Sequence, residues 1–198
     1  MVARANTFTG SKVMASGVAD ISLLAAHGQV FYASDADQND LVTGQTSFAA
    51  TTPTFIIDVP SGTTVIPLMV SLNQTGTVAG AKIDVIIEID NADRYSAGGT
   101  EETVLCSRTD ITAANLAKLY SGATANAGYG VRLQGLSIGQ DVEPAEGALQ
   151  EYLWVPTSGV DFLVGPAAFL VYTYAATTGP TWFWTIKWAE IPSSFLPT

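Results

Sequence analysis

Charge is scarce in this chain. Asp, Glu, Lys and Arg make up 13% of its 198 residues, about half the share of an ordinary globular domain. Eight basic residues against 18 acidic ones leave a formal net charge of -10. Only Arg4 and Lys12 precede Lys82 among the cations. Neutralising a phosphate backbone takes several cations on one face, so direct nucleic-acid binding is not expected. The same shortage disfavours an anionic membrane surface. Cysteine is nearly absent too: Cys106 stands alone, which excludes an internal disulfide framework. With the single histidine, His27, it cannot complete a tetrahedral zinc site. No uninterrupted apolar run approaches the ~18 residues of a membrane-crossing helix. The opening MVARANTFTG lacks the apolar centre of a secretion signal, and the expected place of synthesis and folding is a cytoplasm.

Catalytic patterns are missing as well. His27 in AAHGQV reads as a capping or hydrogen-bonded histidine, and Cys106 in VLCS as a buried, inert thiol. There is no G-x-S-x-G, and SAGGTEE (96–102) has glycines but no following lysine to cradle a phosphate. Acidic residues that could supply a carboxylate pair for glycoside hydrolysis are Glu88, Asp90, Glu101, Glu102, Asp141, Glu143 and Glu146. No spacing singles two of them out, and no enzyme activity is expected.

What is present is apolar and β-forming. Hydrophobic residues reach 47%. Either Thr, Ser, Gly, Asn and Gln cover the wetted surface, or other subunits cover much of it; the second reading is preferred. Strands are expected at 27–35, 52–60, 60–76 and 82–90, then at Val131 to Ile138, Leu149 to Val155, Asp161 to Val164 and Ala168 to Ala175. Pro67 within the third of these implies a sheet edge or a bulge. KIDVIIEID (82–90) alternates, giving a half-buried strand with an acidic outer face. Helix signals are few. DITAANLAKLYSG (110–122) reads as a capped helix, and SGVADISLLAAHG (16–28) as a short helix or an extended arm. The stretch 91–109 reads as a long exposed excursion.

The last strand is TWFWTIKWAEIP (181–192), expected to form a hairpin with the one before it. Trp182, Trp184, Ile186 and Trp188 share one parity and one face. Together with Phe183 these tryptophans form either a core strand or an oligomer interface. The best metal candidate is SDADQND (34–40), where Asp35, Asp37 and Asn39 follow the first half of a calcium-loop spacing. Asp40 then replaces the required glycine and Thr46 the bidentate Glu, so calcium is the sole candidate cofactor and a solvated acidic turn the bland alternative.

Strand count, turn signals and a helix or two in the connections give an all-β fold: an antiparallel β-sandwich of jelly-roll type. The parts are an N-terminal arm or short helix (1–26), one sandwich domain (27–192) and a C-terminal tail (193–198). The stretches FIIDVPSGTTVIPLMVSL (55–72), DITAANLAKLYSG and FLVYTYAATTGPTWFWTIKWAEIP (169–192) carry a resemblance to viral single jelly-roll capsid proteins of bacteriophage type. The resemblance implies a virion structural subunit, in a shell or a decoration role. It would be assembled in the host cytoplasm as trimers, pentamers or hexamers with other virion proteins. It departs from capsid proteins that package RNA directly in having no basic arm. A second reading is a carbohydrate- or receptor-binding sandwich, calcium-assisted at Asp35 and Asp37, with Tyr95, Tyr129, Tyr152 or a tryptophan as a stacking platform.

Overall fold

Alternating and continuous apolar runs resolve into fifteen strands in the computed structural model, which describes residues 21–35, 41–75, 82–138, 151–157 and 159–196. They are β1 (Val30–Ser34), β2 (Val42–Thr43), β3 (Phe55–Val59), β4 (Thr63–Gln74) and β5 (Ile83–Asp90). A series of short strands follows: β6 (Tyr95–Ala97), β7 (Thr100–Glu101), β8 (Leu105–Cys106), β9 (Lys118–Ser121) and β10 (Thr124–Ala125). The chain then continues through β11 (Val131–Ile138), β12 (Glu151–Trp154), β13 (Leu163–Val164), β14 (Ala167–Ala175) and β15 (Thr181–Pro192). Among the described residues one α-helix, α1 (Ile21–Ala26), precedes them, and a single 3-10 turn, Ser193–Phe195, follows β15.

Two antiparallel sheets face each other. The first runs β12-β4-β15-β1-β8, with β13 beside β4 on the edge occupied by β12 and β2 beside β15. The second runs β11-β5-β14-β3-β9-β7. Between them lies the main core, where Phe55, Ile57, Val85, Ile87, Phe169 and Val171 meet Val70, Leu72, Ile186 and the indoles of β15. The back of the second sheet is covered as well, since Ile56, Ile86, Leu170 and Tyr172 are buried there with Tyr120. That second cover explains why β3, β5 and β14 are apolar on both faces. It also corrects the acidic outer face expected for β5: Glu88 and Ile86 are both buried. Leu24 of α1 joins a third cluster with Val30, Ile66 and Ile191.

Pro67 sits at a bulge, not at an edge. β4 is paired on both sides, and its register with β15 shifts between Lys187 and Trp188, opposite Met69 and Pro67. A missing N–H is tolerated there because the ladder is already interrupted. The bulge also switches parity. Val70 and Leu72 enter the main core, whereas Ile66 faces the α1 cluster.

Two further expectations are overturned. β14 and β15 are not a hairpin: they lie in different sheets, and β15 pairs with β4 and β1. The helix expected over 110–122 does not form. Lys118–Ser121 is strand β9, paired with β3 at Leu119 to Ile57 and Tyr120 to Ile56. Leu119 and Tyr120 are buried on opposite sides of the sheet, so burial of both overrides local helix propensity. Gly122, at φ +60°, then turns the chain.

Candidate functional site

The indole row lies within a single copy of the chain. Trp182, Trp184 and Trp188 are buried. Trp182 Nε1 donates to Thr173 Oγ1 at 3.0 Å and Trp188 Nε1 to Glu190 Oε1 at 2.8 Å. The Trp184 ring packs 4.8 Å from Phe55, and Trp188 lies 6.3 Å from Phe31. Phe183 points the other way and is 39% exposed. Of the two roles open to this strand, burial assigns the three tryptophans to the core of the subunit.

The calcium candidate is only partly described. Asp37 and Asn39 fall outside the described residues. Asp35 lines a cleft of 340 Å³ with Thr43, Glu102 and Trp184. Among the described residues no three His, Cys, Asp or Glu side chains group to hold a metal.

Carboxylates named from the sequence are engaged with neighbours. Asp90 accepts from Arg94 at 2.7 Å, Glu101 pairs with Lys118 at 3.1 Å, and Glu102 accepts from Ser121 Oγ at 2.5 Å. Glu101 and Glu102 share a cleft of 520 Å³ with Tyr32, Cys106 and Lys118. Asp141, Glu143 and Glu146 fall outside the described residues. Of the platform tyrosines, Tyr95 stacks on Tyr120 with ring centres 4.2 Å apart. Tyr152 is buried, and that burial pushes its hydroxyl up to about 12. Tyr129 is 81% exposed.

Tyr129 leads to the feature that the tryptophan-centred reading missed. At one lateral side of the sandwich, the two sheets end in β11 and in β12 with β13. Large apolar side chains are exposed all along this side. Val131 and Leu136 project from β11, Leu153 and Val155 from β12 and its end, and Phe162 and Val164 at β13. A cleft of 420 Å³ joins Tyr129 and Val131 to Phe162 and Val164, with Asp90 and Asn91 as its polar lining. Among the described residues β11 pairs only with β5, and Arg132 is its one charged residue. Edge strands exposed to water are ordinarily guarded by charge, proline or a cover; here one arginine and a register shift between Arg132 and Gln134 serve.

The opposite side repeats the theme on a smaller scale. There β8 ends the first sheet, and Leu105, Ile111, Leu116 and Leu23 are exposed on β8, the 107–117 connection and α1. Between the two sides, the outer face of the first sheet is almost uncharged. Leu153, Ser71, Thr185 and Ser34 form one cross-strand row, and Glu151, Asn73 and Phe183 another. The sequence signal for this surface was weak but present. β11 and β12 carry apolar residues on both parities, which one half-buried edge strand does not need.

No family model, no curated protein and no solved structure matches this chain.

Proposed function

We propose that this protein is a structural subunit that works by associating with copies of itself, in the manner of a virion shell or decoration protein. The observation that carries this reading is the placement of its exposed apolar side chains. With the β15 indoles packed inside, eleven large apolar side chains among the described residues remain exposed at two opposite lateral sides. Monomeric proteins seldom expose apolar patches beyond a few hundred Å², and larger ones mark interfaces. Because the two sides differ in residues, contact of one with the other is heterologous, and such contacts close into rings when the rotation permits.

Strand order supports the same reading. Take β1, β3, β4, β5, β11, β12, β14 and β15 as the eight principal strands. The first, eighth, third and sixth then lie in one sheet, and the second, seventh, fourth and fifth in the other. A jelly roll is wound in this way, and virion shells are among the assemblies that use it. Light scattering tests the proposal: multiples of the subunit mass are expected at micromolar concentration, and a stable monomer there would sink it.

Tyr129 favours a second reading, a glycan-binding sandwich. Its exposed ring borders the cleft lined by Asp90 and Asn91, as a sugar-stacking platform would. A glycan array decides between the two, since a hit lost in Tyr129→Ala supports binding over shell-building.

A further inference from the structure

A third feature lies at the end of β15. Its carboxylate, Glu190, is 7% exposed and, among the described residues, accepts hydrogen bonds only from neutral donors. These are Trp188 Nε1 at 2.8 Å, the Leu116 amide at 2.7 Å and the Ala117 amide at 3.4 Å. Among the described residues no Lys or Arg forms an ion pair with it. A buried carboxylate usually has a cation beside it, because hydrogen bonds alone offset only part of its desolvation.

Glu190 lines a cleft of 320 Å³ whose other walls include His27, Phe31, Ile191 and Leu116. Thr63 lines it too and is buried. The Thr63 amide bonds to Pro60 O at 3.2 Å, but its hydroxyl has no partner among the described residues. One cleft is thus lined by Glu190, whose carboxylate has no cationic partner among the described residues, by Thr63, whose unpartnered hydroxyl is closed to solvent, and by apolar walls.

We propose that this cleft binds an organic cation, an alkylammonium or guanidinium group. Its N–H donors would meet Glu190 and, once the Thr63 side chain turns towards the cleft, the Thr63 hydroxyl, and its hydrocarbon stem would lie along Phe31, Ile191 and Leu116. Among the described residues Oε1 of Glu190 accepts a single hydrogen bond, so it can accept another. The net charge of -10 draws cations towards the protein.

Two sources carry this chemistry. One is a small free cation. The other is a basic side chain on a second copy, and Arg132, half-exposed and 3.5 Å from Glu88 of its own chain, is the candidate on the far apolar side; that source rests on the self-association proposed above.

The test is titration of n-butylammonium into wild type, Arg132→Gln, Glu190→Gln and Thr63→Val, followed by amide NMR shifts at Gln29, Gly62 and Ile191. Saturable shifts are expected in wild type or in Arg132→Gln. Binding should weaken about tenfold or more in Glu190→Gln, which corresponds to ~1.4 kcal/mol, and should weaken measurably in Thr63→Val, which keeps the carboxylate. Neutral n-butanol should not reproduce the shifts. Absence of shifts in both wild type and Arg132→Gln, or equal binding by Glu190→Gln, overturns the proposal. Arg132→Gln also separates the sources. Weakened self-association together with a newly open cleft points to the neighbouring copy, and no change in either points to a free cation. A monomeric protein that still binds n-butylammonium would sink self-association and leave this site standing.

Discussion

Trp188 donates its indole N–H to Glu190, two residues further along the same strand, at 2.8 Å. Two residues along an ordinary strand share a face, and here one of them is a buried carboxylate. Glu190 in turn accepts the Leu116 and Ala117 amides, which fixes the loop leading into β9 against the first sheet. Burial raises the Glu190 carboxyl above its ordinary value, and the three hydrogen bonds pull it part of the way back.

The raised value makes a pH-dependent prediction. Below the ordinary glutamate value, near 4.5, both the folded and unfolded states hold the proton, and the folded state suffers no penalty from charge. As pH rises through the higher folded value, the unfolded state gives up its proton first and gains stability. The stability of wild type relative to Glu190→Gln should therefore fall as pH rises across that window, by at most about 1.4 kcal/mol per pH unit. Denaturant melts at several pH values check this; a difference that stays flat or rises with pH would contradict it.

Arg94 makes a second prediction. It is 2% exposed, and its guanidinium donates four hydrogen bonds. It reaches Asp90 at 2.7 Å, Asn126 O at 2.8 Å, Gly128 O at 2.9 Å and Ala50 O at 3.1 Å. One side chain thus pins the end of β5 to two loops. Arg94→Ala breaks the ion pair with Asp90 and takes a donor from three carbonyls, of which, among the described residues, only Ala50 O keeps another, the Tyr172 hydroxyl; it should cost about 3–5 kcal/mol, seen as a fall of roughly 10 °C in Tm. Arg94→Lys keeps the charge but cannot reach all four acceptors, so it should fall between the two.

Local pattern was enough to locate the principal strands, because β-branched and aromatic runs bounded by Gly and Pro admit few alternatives. It was not enough for partnership. Nothing in ATTGP tells a hairpin from a crossover between sheets, and the register of β15 with β4 is fixed by the core on the far side. Leu116, Leu119 and Tyr120 fit one helical stripe equally well. Only the vacant edge of β3, a non-local fact, makes Leu119 and Tyr120 a strand. The tryptophan row signalled apolar burial correctly without saying whose surface covers it. Arg94 and Glu190, the two most elaborately bonded charges, stand in stretches that show no motif at all. Their roles arise from contacts across 44 and 74 residues of sequence.

Trp182 and Thr173 offer a third test, of coupling within the core. The indole N–H donates to Thr173 Oγ1 at 3.0 Å, and that hydroxyl also meets Thr54 Oγ1 at 2.9 Å. Thr173→Val strands a buried indole donor and should cost about 1–3 kcal/mol. Trp182→Phe removes that donor and leaves a partial cavity, costing about 2 kcal/mol. With the indole gone, the valine has less to strand, so the double variant should cost less than the sum by on the order of 1 kcal/mol. Strict additivity in urea melts would mean that the bond contributes nothing.

Association through two unlike sides predicts complementation. Val131→Lys places a charge on the β11 side, and Leu105→Lys places one on the β8 side; both positions are exposed, at 66% and 52%. Exposed substitutions of this kind change subunit stability by little, within about 0.5 kcal/mol, so the melts of both variants should match those of wild type diluted until it is monomeric. Each variant alone has one spoiled side on every copy and should run as a monomer. Mixed, the intact β8 side of Val131→Lys meets the intact β11 side of Leu105→Lys, and the pair should form a dimer that cannot grow. Sedimentation of the mixture checks this. If each side instead paired with its own counterpart, the unmixed variants would dimerise through their intact sides, and mixing would add no new species.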